Sequence, residues 1–309
     1  MSEKKNNHTL LKVIGGVTVT AASAYAGYSY LVFRNAFDLE KSSIFNKKYL
    51  IHTDSNVEEW FSHSDTEDVF INSYDGLNLH ALLVHNNDSH DWIVMVHGAG
   101  SYSKNLLNQM YEADHRGYNI LAIDQRGCGK SKGRYCGLGW NEHYDLISWI
   151  NYLINKDHDS KIALYGLNIG ANTIMNTVGD YIPSNVKCAV EDGGFSEIKD
   201  IITHRTRQIS KVDPKLFFPA VDVLVNQFLH FSLNDISTKR QLRNCEIPML
   251  FIHGSDDEVI PTSMVFDNYY ACGSEKELNI IEGKSFNNTY TDPTYYETLF
   301  EFIDKHVKQ

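Results

Sequence analysis

The sequence predicts one α/β domain with a mostly parallel sheet covered by helices on both faces, and three observations carry that reading. Short apolar runs of the buried-strand kind alternate with helical stretches through most of the chain, which is how a parallel sheet with two covered faces is written. At 309 residues, 42% of them apolar and 22% charged, the chain is long enough to bury a large core. One apolar run, Ala163 to Tyr165, leads into Gly166-Leu167-Asn168-Ile169-Gly170, where glycines stand at the two places in a sharp strand-to-helix turn that have no room for a Cβ.

Taken in order, residues 1–36 read as a membrane anchor or signal segment. Val13 to Phe33 has no charged residue over 21 positions, about the ~20 that a helix needs to cross a bilayer. Lys4, Lys5 and Lys12 precede it, and Tyr25, Tyr28, Tyr30 and Phe33 gather at its far end like an interfacial belt, the order of a signal anchor with the domain outside the cell. Ala22-Ser23-Ala24 also fits a signal-peptidase site, so a cleaved and secreted form is one alternative and a plain cytosolic helix another. Residues 37–65 are mixed and polar and read as a linker, leaving 66–309 for the α/β domain.

Within that domain, Asp68 to Asn72 and Leu77 to Val84 alternate about the turn Tyr74-Asp75-Gly76, as an antiparallel edge pair does. Buried-strand runs follow at Trp92 to Val96, Asn119 to Ile123, Lys161 to Tyr165, Val186 to Glu191, Pro248 to His253 and Glu277 to Ile281. Helical stretches include Trp140 to Leu153, Ala171 to Val178 and the terminal Tyr295 to Val307. More than fifty residues separate the strand ending near Glu191 from the one beginning at Pro248, and an interval that long reads as a helical cap, about 194–246, over the binding face. A crossover helix with a long loop is the alternative.

A formal net charge of −11 excludes sequence-independent affinity for nucleic acid. Cys128, Cys136, Cys188, Cys245 and Cys272 are an odd set without CxxC spacing, so they outline neither a zinc site nor a disulfide framework. Free thiols fit a reducing compartment and pull against the anchor topology. With no Gly-rich phosphate loop and no His/Asp/Cys ligand spacing, no nucleotide, metal or other cofactor is expected.

The turn at 166–170 is a nucleophile elbow, Gly-x-Ser-x-Gly in hydrolases, with Asn168 where the serine belongs. A carboxamide cannot be deprotonated to a nucleophile by an imidazole. His97-Gly98-Ala99-Gly100, the run Asp124 to Ser131, the elbow, and His253-Gly254-Ser255-Asp256-Asp257 through Pro261 together resemble the ordered landmarks of the α/β-hydrolase fold. Gly139-Trp140, Ser184 to Lys187 and Val190-Glu191-Asp192 further resemble membrane-anchored or secreted esterase and peptidase-like hydrolases of Gram-positive bacteria. The resemblance covers roughly residues 60 to 308.

That resemblance implies a backbone oxyanion hole from the loop at 97–101, about Ala99, and from Ile169. It implies Asp257 as the acid that orients a histidine; an Asx turn is the competing reading. It places the histidine after the last strand, where Gly283-Lys284-Ser285 is followed by Phe286, which neither accepts nor donates a proton. His306, in the terminal helix, lies roughly a dozen helical residues and on the order of 15 Å beyond that loop, too far to substitute. Ser101, Ser255 and Ser285 are near the expected site, yet none stands on the elbow or has an evident base.

With both nucleophile and base substituted, the expected protein is an α/β-hydrolase-like pseudoenzyme at the membrane, keeping a site for a small apolar or ester-like ligand or for a protein partner. The alternatives are a weak or atypical esterase or amidase, and a structural surface protein that interacts through its cap. An empty apolar pocket favours a ligand. A pocket plugged by Phe286 and cap aromatics favours a partner.

Overall fold

The computed structural model describes residues 21–41, 53–86, 89–98 and 100–308. Eight strands form one sheet: β1 (Thr66–Asn72), β2 (Asn78–Val84), β3 (Asp91–Val96), β4 (Asn119–Asp124), β5 (Lys161–Leu167), β6 (Val186–Asp192), β7 (Met249–Gly254) and β8 (Lys276–Ile281). They lie in the order β1-β2-β4-β3-β5-β6-β7-β8. β1 pairs antiparallel with β2 and β2 with β4, whereas all later pairs are parallel. The runs read as strands are all strands, and the alternating pair forms the antiparallel edge.

The chain folds this way because its central strands are apolar on both sides. Along β3 to β5 and β7, Val94, Leu121, Leu164 and Phe251 join one buried cluster while Ile93, Ile120, Tyr165 and Leu250 join the other, the two-residue alternation of a sheet covered on both faces. The first cluster takes Trp149 and Ile150 of α4 (Trp140–Lys156), Ile174 of α5 (Ile169–Thr177) and Val265 of α9 (Ser263–Ala271). The second takes Met110 of α3 (Leu107–His115) and Leu299, Phe302 and Ile303 of α10 (Tyr295–Val307). Each such side chain contributes about 1.5–3 kcal/mol of burial.

Between β6 and β7 lie α6 (Ile198–Ile209), a short 3-10 turn (Pro214–Phe217), α7 (Phe218–Leu229) and α8 (Thr238–Leu242). Asn172 of α5 ties this interval down, its Nδ2 donating to Phe195 O (2.6 Å) and its Oδ1 accepting from Phe195 N (3.0 Å).

The described part of the N-terminal region packs on the α/β domain. Residues 21–37 form a helix, α1, whose positions Ser29, Val32, Phe33, Ala36 and Phe37 are buried at the i, i+3, i+4, i+7, i+8 spacing of a packed face. Its aromatic residues do not form a free belt: Tyr25 and Tyr28 meet Phe217 at 5.0 and 4.4 Å, and Phe33 meets Phe228 at 5.5 Å. Among the described residues no helix is long and apolar enough to cross a membrane, and positions 13–20 of the expected span lie outside them. The 37–65 stretch is not a plain linker in its described parts. Asp38 accepts from Arg134 Nη2 (2.8 Å), and Ser55–His63 form α2, on which Trp60 donates to Asp114 Oδ2 (2.7 Å). Val57, Trp60 and Phe61 already stood at helical spacing.

Candidate active site

β5 and α5 meet at Asn168, which has φ 54° and ψ −111°, a conformation that costs about 1–3 kcal/mol outside glycine and persists only where the surroundings impose it. The surroundings here are backbone. A Cβ on Gly166 would come within 2.4 Å of Gly170 O, and one on Gly170 within 2.1 Å of Val96 O. Asn168 N donates to Asp192 O at 2.7 Å, securing the turn to the end of β6.

The Asn168 side chain is buried and enclosed on three sides. A Cβ on Gly98 would stand 3.0 Å from its Nδ2 and one on Gly193 3.0 Å from its Oδ1. On the third side Nδ2 donates in a short hydrogen bond to Oδ1 of Asn287, a residue held at φ 61°. From the β8 loop, the side chain that bonds residue 168 is therefore that of Asn287. Phe286, the position assigned to the histidine from the sequence, is buried in an apolar cluster with Ile169, Val259, Ile260 and Met264. Adjacent side chains in an extended or turn backbone diverge, so sequence spacing alone could not choose between 286 and 287.

Asp257 is buried, and its Oδ1 accepts from the amides of Val259 and Ile260, both at 2.8 Å. Those are Asx-turn bonds, the competing reading given to it above. Burial lifts its carboxyl to about 6 against those two amides. Its other oxygen lies 3.6 Å from His253 Nε2, which is committed to Ile260 O at 2.9 Å. His97 is equally occupied, accepting from Gln125 N at 3.0 Å and donating to Gly98 O at 2.7 Å. Burial lowers the pKa of both histidines, keeping the rings neutral. Among the described residues no histidine bonds Asn168. His306 packs on Phe302 within α10. Of the oxyanion candidates, Ile169 is buried at the start of α5 and Ala99 lies outside the described residues.

Two acids at the end of β6 matter more than their sequence suggested. Asp192 is buried and accepts from Tyr295 Oη (2.8 Å) and Thr289 Oγ1 (2.9 Å), while burial pushes its carboxyl up to about 7. Glu191 accepts from Gly194 N at 2.8 Å and leaves Oε1 without a partner, and burial drives its carboxyl well above the ordinary carboxylate range. Consecutive acids closing an apolar strand were the available signal.

The Asp124 to Ser131 run anchors the loops beside the elbow. Asp124 accepts from Ser103 N (2.7 Å), Lys130 N (2.9 Å) and His80 Nδ1 (2.7 Å), and despite burial these bonds bring its carboxyl to about 2. His80 reaches Asp68 with its other nitrogen at 2.8 Å; against the opposing effect of burial, the two carboxylates raise its pKa.

Above the elbow there is packing. Phe33 and Phe37 of α1, Phe195, Phe231, Phe286 and Ile169 belong to one buried cluster together with apolar residues of α6 and α7. Cavities of about 290, 960 and 300 Å³ open elsewhere, and none is lined by Asn168, Asp257 or Phe286.

Strand order, elbow and cap interval together define the class: the chain has the α/β-hydrolase fold. Residues 87–223 match the family model for serine aminopeptidase, S33. In sequence the chain is similar to the uncharacterized protein YqkD of Bacillus subtilis, 27% identical over 81% of this chain and 83% of that one. It is also similar to protein bem46 of Schizosaccharomyces pombe, 24% identical over 60% of this chain and 57% of the other. In structure it resembles the Pyrococcus furiosus esterase Pf2001 with a TM-score of 0.65, at 19% identity over 83% of this chain and 96% of that one.

Proposed function

We propose that this chain is a catalytically silent α/β-hydrolase-fold protein, held at the membrane by its N-terminal segment, that binds a protein partner through its cap in place of turning over an ester. One observation carries the reading: at the elbow a carboxamide holds the nucleophile's strained conformation and is bonded to a second carboxamide, Asn287, so neither partner can accept or deliver a proton. The packed cluster over Ile169 and Phe286 favours a partner over a small ligand. The cap's outer surface supports the same choice, since Ile209, Leu216 and Val223 are 61, 69 and 65% exposed.

Silence at the elbow is tested with the purified domain. It is expected neither to hydrolyse short-chain p-nitrophenyl esters above the rate in buffer nor to be labelled by a fluorophosphonate probe. Stoichiometric labelling of any serine would overturn the reading in favour of the atypical esterase or amidase.

Attachment to the membrane rests on the absence of charge from Val13 to Phe33 and on the outer face of α1, where Tyr30 and Leu31 are 47 and 42% exposed beside the packed face. The full-length chain is expected to sediment with membranes and to resist extraction by high salt. Release by salt, or recovery in the soluble fraction, counts against it.

A further inference from the structure

Away from the elbow, two of the five cysteines are brought together by the fold. Cys245 lies in the loop from α8 to β7, and Cys272 closes the C-terminus of α9. Gly273 N donates to Leu242 O at 3.0 Å, and a Cβ on Gly273 would stand 2.7 Å from Arg243 O, so the two loops touch backbone to backbone. Ser274 places one hydroxyl between the sulfurs, 3.2 Å from Cys272 Sγ and 3.5 Å from Cys245 Sγ. Both thiols are free and buried, and Cys245 also lines the 960 Å³ cavity with Gly179, Tyr181, Arg243 and Glu246.

We propose that Cys245 and Cys272 are a reversible dithiol–disulfide site that reacts with low-molecular-weight disulfides admitted through this cavity, clipping the α8–β7 loop to the α9–β8 loop. A thiolate of the pair attacks one sulfur of R–S–S–R, forming a mixed disulfide and releasing RS⁻, which takes up a proton. The second cysteine, on losing its own proton, attacks the protein sulfur of that mixed disulfide and expels the second RS⁻. Two thiols have become one disulfide, and one small disulfide has become two small thiols, so atoms and electrons balance.

The surroundings favour the pair over the remaining cysteines. The neighbouring Cys245 holds Cys272 below the usual thiol range while Cys245 itself is pushed up, with Ser274 supporting the thiolate against burial. Burial instead pushes Cys128 and Cys188 up to about 12 and Cys136 well above its ordinary value. Spacing alone did not show the pair, because 245 and 272 are joined only by the return of α9 beneath β7 and β8.

The test uses the reduced full-length chain treated with oxidised glutathione, acid-quenched, denatured and alkylated with N-ethylmaleimide. Intact mass is expected to show two fewer alkylated cysteines than in the reduced protein, with no retained glutathione, and peptide mapping one cross-link, Cys245 to Cys272. The Cys245→Ser variant is expected to stop at a stable glutathione adduct on Cys272. The proposal fails if all five cysteines of the wild-type chain are alkylated under conditions that oxidise a control dithiol, if the cross-link joins another pair, or if glutathione stays on both cysteines. The wild-type result stands alone should the variant fail to fold.

Discussion

A chain carrying Asn168→Ser and Asn287→His together is expected to hydrolyse p-nitrophenyl acetate at least about 10³-fold faster than either single variant, because nucleophile and base act as a unit and each is nearly inert alone. Position 287 is chosen on geometry. Its side chain is the one that bonds residue 168, and its φ of 61° is a conformation that histidine, like asparagine, tolerates. The pair Asn168→Ser with Phe286→His is the comparison. Recovery there and not at 287 would place the histidine site at 286, with the β8 loop shifted once the apolar cluster is breached. Adding Asp257→Ala to the active pair should lower the recovered rate by a factor on the order of 10⁴ if that carboxylate orients the imidazole. No loss would leave Asp257 as an Asx-turn residue and turn attention to Asp192, the other buried acid near the β8 loop. Activity in Asn168→Ser alone would mean that another residue supplies the base.

The largest expected effect on stability is at Arg126. Its Nε and Nη2 donate to the two oxygens of Asp145 at 2.7 and 2.8 Å, and Nη1 reaches Asp75 at 2.9 Å. Burial opposes the charge on Arg126, but its hydrogen bonds to Asp145 and the field of the surrounding acids keep its pKa above the ordinary value. Arg126→Met should destabilise the fold by about 3–5 kcal/mol, since it leaves the Asp145 carboxylate buried without a partner. The loss should depend on pH in a defined direction. Burial lifts Asp145 to about 6 even beside Arg126, so in the variant the folded state binds a proton more tightly than the unfolded chain, whose carboxyls titrate near ~3.9. The penalty is therefore small near pH 4 and grows as pH rises through the folded value. Urea unfolding at pH 5 and pH 8 reads it directly. An equal loss at both pH values would show that packing, not the unpaired charge, is what Arg126 supplies, and Asp145→Asn in the variant should recover stability mainly at pH 8.

Much of the architecture was legible because it is written in local chemistry. Apolar runs a few residues long, spaced by amphipathic helices, mark a doubly covered sheet, and Gly166 and Gly170 mark the elbow, since backbone meets backbone at both. That Asn168 cannot act as a nucleophile also followed from residue type alone. Other features had no local signature. α1 carries a membrane-like pattern, yet the part of it described lies against the cap, because an uncharged helix rich in aromatic residues is equally suited to lipid and to Phe217 and Phe228. α2 was missed as three apolar residues in a polar stretch.

The sequence by itself determined the fold class, the order of the strands' apolar faces, the place of the elbow and the absence of serine there, because each depends on residue type and short-range spacing. Tertiary structure alone decided that Asn287 bonds Asn168 while Phe286 enters an apolar cluster, that Asp192 and Glu191 are buried and lifted in pKa, and that Cys245 lies beside Cys272. Each of those depends on which way a side chain leaves a loop, or on how far water is excluded from it. Those properties are set by segments distant in the chain that pack around it, so no window of sequence contains them.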